Sequence, residues 1–220
     1  MAKLQSSLTN MLLSLTLIAL VAAGLLAGVY TLTKAPIDKA KAEKQAAAKL
    51  AVLPEMAGLT VSEEAEQVDG MAIYKAYAGE ELVGAAVETH ENGFGGNFKM
   101  MVGFDKEGTI TGYQVLEHQE TPGLGSKMDE WFKTDKNRQN VVGLNPGKCK
   151  FEVSKDGGDV DAITAATISS RAFLLAVTKA YNAYLSNKLE AVSGATTLQE
   201  SGAAPLQQNE TENNEETKED

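Results

Sequence analysis

Hydrophobic positions along this chain fall into three regimes. Residues 4–33 contain no charge, and residues 11–30 (MLLSLTLIALVAAGLLAGVY) are apolar nearly throughout. Twenty residues at helical rise span about 30 Å, the thickness of a bilayer's hydrocarbon. Ser14 and Thr16 can return their hydroxyls to the helix backbone, so the pattern predicts a membrane span. A cleaved signal peptide is the competing reading, with Lys3 as its basic start and Val21-Ala22-Ala23 as a small-residue site. The apolar run continues past that site to Tyr30, which favours an uncleaved anchor. Residues 36–52 then read as a separate helix. Pro36 suits a first turn, Ala, Lys, Glu and Gln favour the state, and Leu53-Pro54 ends it. Its apolar positions are sparse, which predicts a stalk that lifts the next unit off the bilayer.

From residue 70 the period changes. Residues 71–74, 82–87, 98–102 and 110–115 read as strands, separated by Gly79-Glu80-Glu81, the glycine-rich stretch 91–97 and Asp105-Lys106-Glu107-Gly108. Turn chemistry at that spacing predicts an antiparallel meander. A short helix is expected over 126–134 and a further strand over 148–154. Residues 168–186 carry the clearest helical period, with Phe173, Val177, Ala180 and Tyr184 on one stripe. A helix lying on an antiparallel sheet makes the fold class α+β. The regimes divide the chain into an anchor (1–34), a helical stalk and linker (35–69), a folded domain (70–190) and a tail (191–220).

Composition sharpens this outline. Of 220 residues, 43% are hydrophobic, enough for a core, and 30 acids against 20 bases give a net charge of −10. That balance argues against a nucleic-acid binder. Residues 201–220 carry six acids and one base, with Leu206 as the one large apolar side chain. Such a segment cannot bury enough surface to offset its ordering entropy and is expected to be disordered. One cysteine, Cys149, excludes an internal disulfide. Two histidines, His90 and His118, leave too few ligands for a Cys/His zinc site.

Familiar catalytic motifs are missing. Gly93-Phe94-Gly95-Gly96 lies between strands and is not a dinucleotide fingerprint. Gly147-Lys148 is followed by Cys149 without P-loop spacing, and no nucleophile elbow or HExxH occurs. Two constellations remain. Asp161-Ala162-Ile163-Thr164-Ala165-Ala166-Thr167 ends where the long helix begins. Free N–H groups and the positive dipole end converge there, so a phosphate on the Thr167 hydroxyl would be held. Ser169 and Ser170 could add hydroxyls, and Arg171 charge. The plainer reading makes Thr167 a helix cap. The second constellation is Glu120-Thr121-Pro122-Gly123-Leu124-Gly125, whose Pro and glycines fix a tight backbone suited to a planar ligand or to an ordinary turn.

These motifs, in this order behind an N-terminal span, resemble the covalent FMN-binding subunits of bacterial electron-transport complexes. The likeness is to the RnfG family of ion-translocating ferredoxin:NAD oxidoreductases. The related NqrC subunits of sodium-pumping NADH:quinone oxidoreductases are the alternative. It covers about residues 4–186 and includes Leu8-Thr9-Asn10-Met11, Thr33-Lys34-Ala35-Pro36-Ile37 and the three motifs above. The resemblance implies an antiparallel-sheet FMN-binding domain with packed helices. It implies FMN moved from FAD by a flavin transferase onto a Thr or Ser in a pattern like D-x-x-[ST]-G-A-[ST]. Carried onto this chain, Thr167 is the acceptor, and Asp161 and Thr164 occupy recognition positions. Glu120, Thr121, Gly123, Leu124 and Gly125 lie near the flavin. Ala165 departs from the usual glycine and would be strained if the site needs a positive φ.

A competing acceptor is Thr196, in Glu190-Ala191-Val192-Ser193-Gly194-Ala195-Thr196, where the glycine is present; no helix is expected to start there. The resemblance further implies a redox subunit without an acid–base residue of its own or a metal, partnered with integral membrane subunits. Its domain would lie outside the bacterial cytoplasmic membrane. Lys34, Lys39, Lys41, Lys44 and Lys49 after the span argue the opposite topology. A cofactor-free, tethered assembly module is the reading from a different class.

Overall fold

The computed structural model describes residues 8–200, with side chains through Lys188. A 44-residue helix, α1 (Leu8–Ala51), leads into six strands: β1 (Leu59–Val61), β2 (Glu66–Val68), β3 (Met71–Ala78), β4 (Glu81–Asn92), β5 (Asn97–Asp105) and β6 (Ile110–Glu117). A short helix, α2 (Met128–Trp131), and a long one, α3 (Thr167–Glu200), follow. All strands pair antiparallel in the order β1-β3-β4-β5-β6, with β2 beside β3. The predicted meander is thus β3 to β6; β1 and β2 are additional short strands from the expected linker.

Both faces of the sheet are covered. On one, Ile73, Val87, Met100, Val102, Phe104 and Val115 pack against Phe173, Leu174, Val177, Ala180 and Tyr184 of α3. Phe173 stacks on Phe132 with centroids 4.2 Å apart and meets Tyr113 edge-on at 4.9 Å. Burying a side chain of this size stabilises by about 1.5–3 kcal/mol. On the other face, Tyr74, Ala76, Ala86, Met101 and Leu116 meet Ala48, Val52 and Leu53 from the end of α1. Neighbours such as Ala86 and Val87, or Met100 and Met101, therefore serve opposite cores. This explains why β5 is buried almost continuously instead of alternating.

The stretch expected as a stalk differs from expectation in two ways. Pro36 lies inside α1 and does not start a new helix. It removes one backbone bond, and the strong helix formers on its C-terminal side carry the helix on. The second half of the stretch is docked, not free. Lys41 pairs with Glu117 at 2.9 Å, Lys44 donates to Leu116 O, Gln45 Nε2 donates to the Tyr74 hydroxyl at 3.2 Å, and Lys49 Nζ sits 3.4 Å over the Tyr74 ring. Thr111 Oγ1 donates to Val52 O at 2.6 Å. Gly103 makes room for this approach: a Cβ there would lie 2.7 Å from the Val52 carbonyl carbon.

Two further expectations are corrected. Residues 148–154 are not a strand. They fold back on 158–160, with Asp159 N–H donating to Lys150 O (2.9 Å), Val160 N–H to Glu152 O (3.1 Å) and Ser154 N–H to Val160 O (2.7 Å). Phe151 and Val153 are buried while Glu152 is exposed, so the alternation that suggested a strand is satisfied by a loop. Residues 191–200, expected as tail, continue α3, as helix propagation past a formed core segment costs little. The acidic stretch 201–220 lies outside the described residues.

Candidate functional site

Four segments meet where α3 begins. The β4–β5 turn, 93–96, closes through Gly93 N–H to Gly96 O at 2.9 Å. The loop 120–125 closes on Thr121 O, which accepts from Leu124 N–H at 3.1 Å, with Gly123 at φ +76°. A 3-10 turn, Ser154–Asp156, and the segment 161–166 complete the surround.

Glu120 ties two of them to α3. Its side chain is 4% exposed. Oε1 accepts the Gly95 N–H at 3.2 Å and Oε2 accepts the Ser169 hydroxyl at 2.7 Å. One carboxylate thus joins turn, loop and helix, and its charge stands beside the positive end of α3. Two neighbouring glycines follow from it. A Cβ at Gly93 would overlap Glu120 Oε1. One at Gly125 would sit 2.8 Å from Glu120 Cδ and 2.7 Å from Ser169 Oγ; Gly95 has a different cause, since a Cβ there would overlap the Gln119 carbonyl oxygen and lie 2.8 Å from its carbon.

Thr167 is the first residue of α3. The opening helical bond runs from Ser170 N–H to Ala166 O at 3.0 Å, which makes Ala166 the N-cap. Thr167 is therefore one position too late to cap. Its hydroxyl accepts a hydrogen bond from Lys155 Nζ at 3.2 Å instead. The N–H groups of the first turn have no intrahelical acceptors. Just before it, Ala165 adopts φ +62°, the left-handed region that the departure from glycine makes costly by about 1–2 kcal/mol.

Phe94, Glu120, Thr121, Leu124, Gly125 and residues 165–169 line a pocket of about 410 Å³. This lies in the range of small-ligand sites. Its rim carries three apolar side chains from three segments, with Phe94 69%, Ile168 53% and Leu124 40% exposed. Gathered at one pocket mouth, they form a surface suited to an apolar group.

The sequence-predicted residues separate into two groups. Glu120, Thr121, Leu124, Gly125, Thr167 and Ser169 surround the pocket. Gly123, Asp161, Thr164 and Ser170 do not line it. Gly123 turns the loop. Asp161 joins two segments, its carboxylate accepting from Arg138 N–H at 3.3 Å and its carbonyl accepting the Trp131 indole N–H at 3.0 Å. Thr164 is exposed beside the strained alanine. Ser170 is buried, accepting from Ile163 N–H and donating to Ala166 O, both at 2.9 Å. Arg171 does not reach the Thr167 hydroxyl; it is held bidentately by Asp156, with both contacts at 2.7 Å. That guanidinium keeps the Asp156 carboxyl below the ordinary carboxylate range. Thr196 falls in the interior of α3, so no helix starts there.

Sequence reasoning missed Lys155, Phe94 and Ile168. An aromatic flanked by glycines in a turn was a usable signal for Phe94. Nothing in spacing announces Lys155, which arrives through a 3-10 turn. Among the described residues, no group of three or more His, Cys, Asp or Glu side chains is arranged to hold a metal ion.

Comparison with known proteins identifies the family. A family model described as the FMN-binding domain matches residues 93–182, and one described as the RnfG N-terminal region matches residues 7–52. The G subunit of the ion-translocating oxidoreductase complex of Methanosarcina acetivorans is 35% identical over 171 residues, covering 75% of this chain and 88% of that protein. The protein of the same name from Erwinia tasmaniensis is 34% identical over 178 residues, covering 74% and 83%. That of Shewanella amazonensis is 38% identical over 114 residues, covering 50% and 52%. The N-terminal match falls on a helix long and apolar enough to cross a membrane, and the FMN-binding match on β5, β6, the pocket residues and the first half of α3. The chain therefore belongs to the family of G subunits of ion-translocating oxidoreductase complexes and carries that family's FMN-binding domain.

Proposed function

We propose that this chain is a membrane-anchored electron-carrier subunit with FMN joined to Thr167 through a phosphoester. Its complex would couple ferredoxin:NAD electron transfer to ion movement. The observation that carries the reading is the state of the Thr167 hydroxyl: it stands at a pocket rim, free of any capping duty, against a lysine ammonium. The residues present fit the group. Open apolar side chains at Phe94, Leu124 and Ile168 suit a flat aromatic ring, and the head of α3 suits a phosphate. Bound there, FMN would supply reversible electron acceptance, which no side chain of this chain offers.

The chain's own residues anchor, orient and exclude water. Thr167 would be the attachment point. Attachment forms the bond from Thr167 Oγ1 to phosphorus, breaks the P–O–P link of FAD, releases AMP and frees the hydroxyl proton; a flavin transferase would catalyse it. Glu120 fixes the turn, the loop and the helix relative to one another, so the pocket keeps its width. Phe94, Leu124 and Ile168 would exclude water from a ring bound against them. No residue need act as an acid or base.

Integral subunits of the same complex are the partners, met through α1 in the bacterial cytoplasmic membrane, with the domain on its outer side. The lysines that argue against this topology have another use: Lys41, Lys44 and Lys49 dock α1 on the sheet. A reporter fused to the C-terminus that is active only in the cytoplasm would reject the outer location.

The decisive experiment is peptide mass analysis of protein made with a flavin transferase. Trypsin separates the two candidate threonines, residues 156–171 from residues 189–218. We expect the FMN adduct on 156–171, flavin fluorescence that survives a denaturing gel, and loss of both in Thr167→Ala but not Thr196→Ala. An unmodified 156–171 peptide in such material would refute the reading and leave the cofactor-free module.

A further inference from the structure

We propose that Lys155 holds the anionic phosphoryl group at Thr167, and that Asp156 positions it by gripping Arg171. This rests on Thr167 as the attachment point and adds the group that balances charge there. Lys155 Nζ already lies 3.2 Å from Thr167 Oγ1. Once phosphorus is bound to that oxygen, its anionic oxygens, two bonds beyond Oγ1, fall within reach of the same ammonium. A balancing charge is needed. A phosphodiester bears one negative charge, and the buried Glu120 carboxylate lines the same pocket. The first turn of α3 offers only partial positive charge, equivalent to about half a unit.

Other nearby cations are committed. Arg171 is forked onto Asp156, and Lys150 Nζ donates to Asp156 O at 3.4 Å. The placement of Lys155 has a structural cause. Arg171 lies four residues after Thr167, on the same face of α3. The Asp156–Arg171 fork therefore brings the adjacent residue, Lys155, over the preceding helical turn, where Thr167 sits. The 3-10 turn is closed behind them by Gly157 in the left-handed region (φ +82°) and pinned by Ser154 N–H to Val160 O. As the Oγ1–P bond forms and the P–O–P bond of FAD breaks, negative charge gathers on the phosphoryl oxygens. An ammonium already aimed there stabilises that charge without moving.

The test uses the full chain in detergent with FAD and a flavin transferase, following the initial rate of adduct formation on the Thr167 peptide by mass. Lys155→Ala and Lys155→Gln should slow it by about tenfold to a hundredfold, while Lys155→Arg restores most of the rate. Asp156→Asn should fall between, because it loosens the grip without removing the ammonium. Gln ends one atom short of the lysine nitrogen but keeps an uncharged N–H donor, so a role that needs only packing and a neutral hydrogen bond would largely tolerate it; a Gln variant as fast as Arg overturns the charge argument. Should Lys155→Ala fail to fold, the Gln and Arg variants carry the comparison. If wild-type protein gains the adduct and Lys155→Ala gains it equally fast, this inference falls alone. If wild-type protein gains none, the Thr167 reading falls first.

Discussion

Removing the Glu120 carboxylate should open the pocket by letting three segments drift apart. In Glu120→Ala the Ser169 hydroxyl and the Gly95 N–H lose their acceptor at a side chain that is 4% exposed. A buried donor left without a partner costs about 1–3 kcal/mol. With the space vacated between Gly93 and Gly125, the expected loss is about 3–5 kcal/mol. Glu120→Gln keeps the shape, and the Ser169 hydroxyl can rotate to accept from the new amide, so about 1 kcal/mol is expected. The sharper test is a double-mutant cycle. Gly93→Ala alone should be costly, because its methyl overlaps Glu120 Oε1; once the acid is gone, the next neighbour, Phe98, is 3.5 Å away. Gly93→Ala should therefore cost about 2 kcal/mol in the wild type and little in the Glu120→Ala background, a coupling of about 1–3 kcal/mol. Denaturation of the full chain in detergent, followed by near-ultraviolet circular dichroism, would measure it. Additive costs, or Glu120→Ala as stable as Glu120→Gln, would refute the role assigned to this side chain.

Two other predictions follow from backbone and burial. Ala165→Gly relieves the φ +62° strain but loosens the unfolded chain, for a net gain of about 0.5–1 kcal/mol and a melting temperature a few degrees higher. An unchanged or lower value would show that Ala165 is unstrained. Tyr184, buried with its hydroxyl donating to Asp105 O at 2.9 Å, has its pKa pushed up to about 12 by burial. The folded form thus holds the proton more tightly than the unfolded one. Its contribution is complete below pH 10 and disappears as pH rises toward 12, a loss of about 2 kcal/mol. Tyr184→Phe should flatten that part of the stability profile, and an unaltered slope would refute the assignment.

What could be read from the chain depended on range. The strands β3 to β6 announce themselves because alternation and turn residues are local, and α3 because its stripe repeats within one helix. The same logic misread 148–154, where the burial of Phe151 and Val153 is real but the partner is a loop only a few residues on. Glu120 was legible as a site residue but not as the tie that explains Gly93 and Gly125. Its partners lie 25 and 49 positions away, a relation no local pattern carries. Lys155 was invisible for a similar reason, since its position depends on an ion pair formed by its neighbour. The docking of α1 was hidden because Ala48 and Val52 look like ordinary helix residues until Gly103 leaves room for them.

The unbroken course of α1 has a mechanical consequence. From Tyr30 to Ala48 the helix climbs about 27 Å, and its far end is wedged into the protein rather than trailing from it. The domain is thus mounted on a mast, with its height and compass bearing both set by residue count. Adding one alanine near Pro36 would raise the pocket by only about 1.5 Å but swing it about 100° around the axis. Adding a full heptad would return it almost to its original heading, about 10 Å higher.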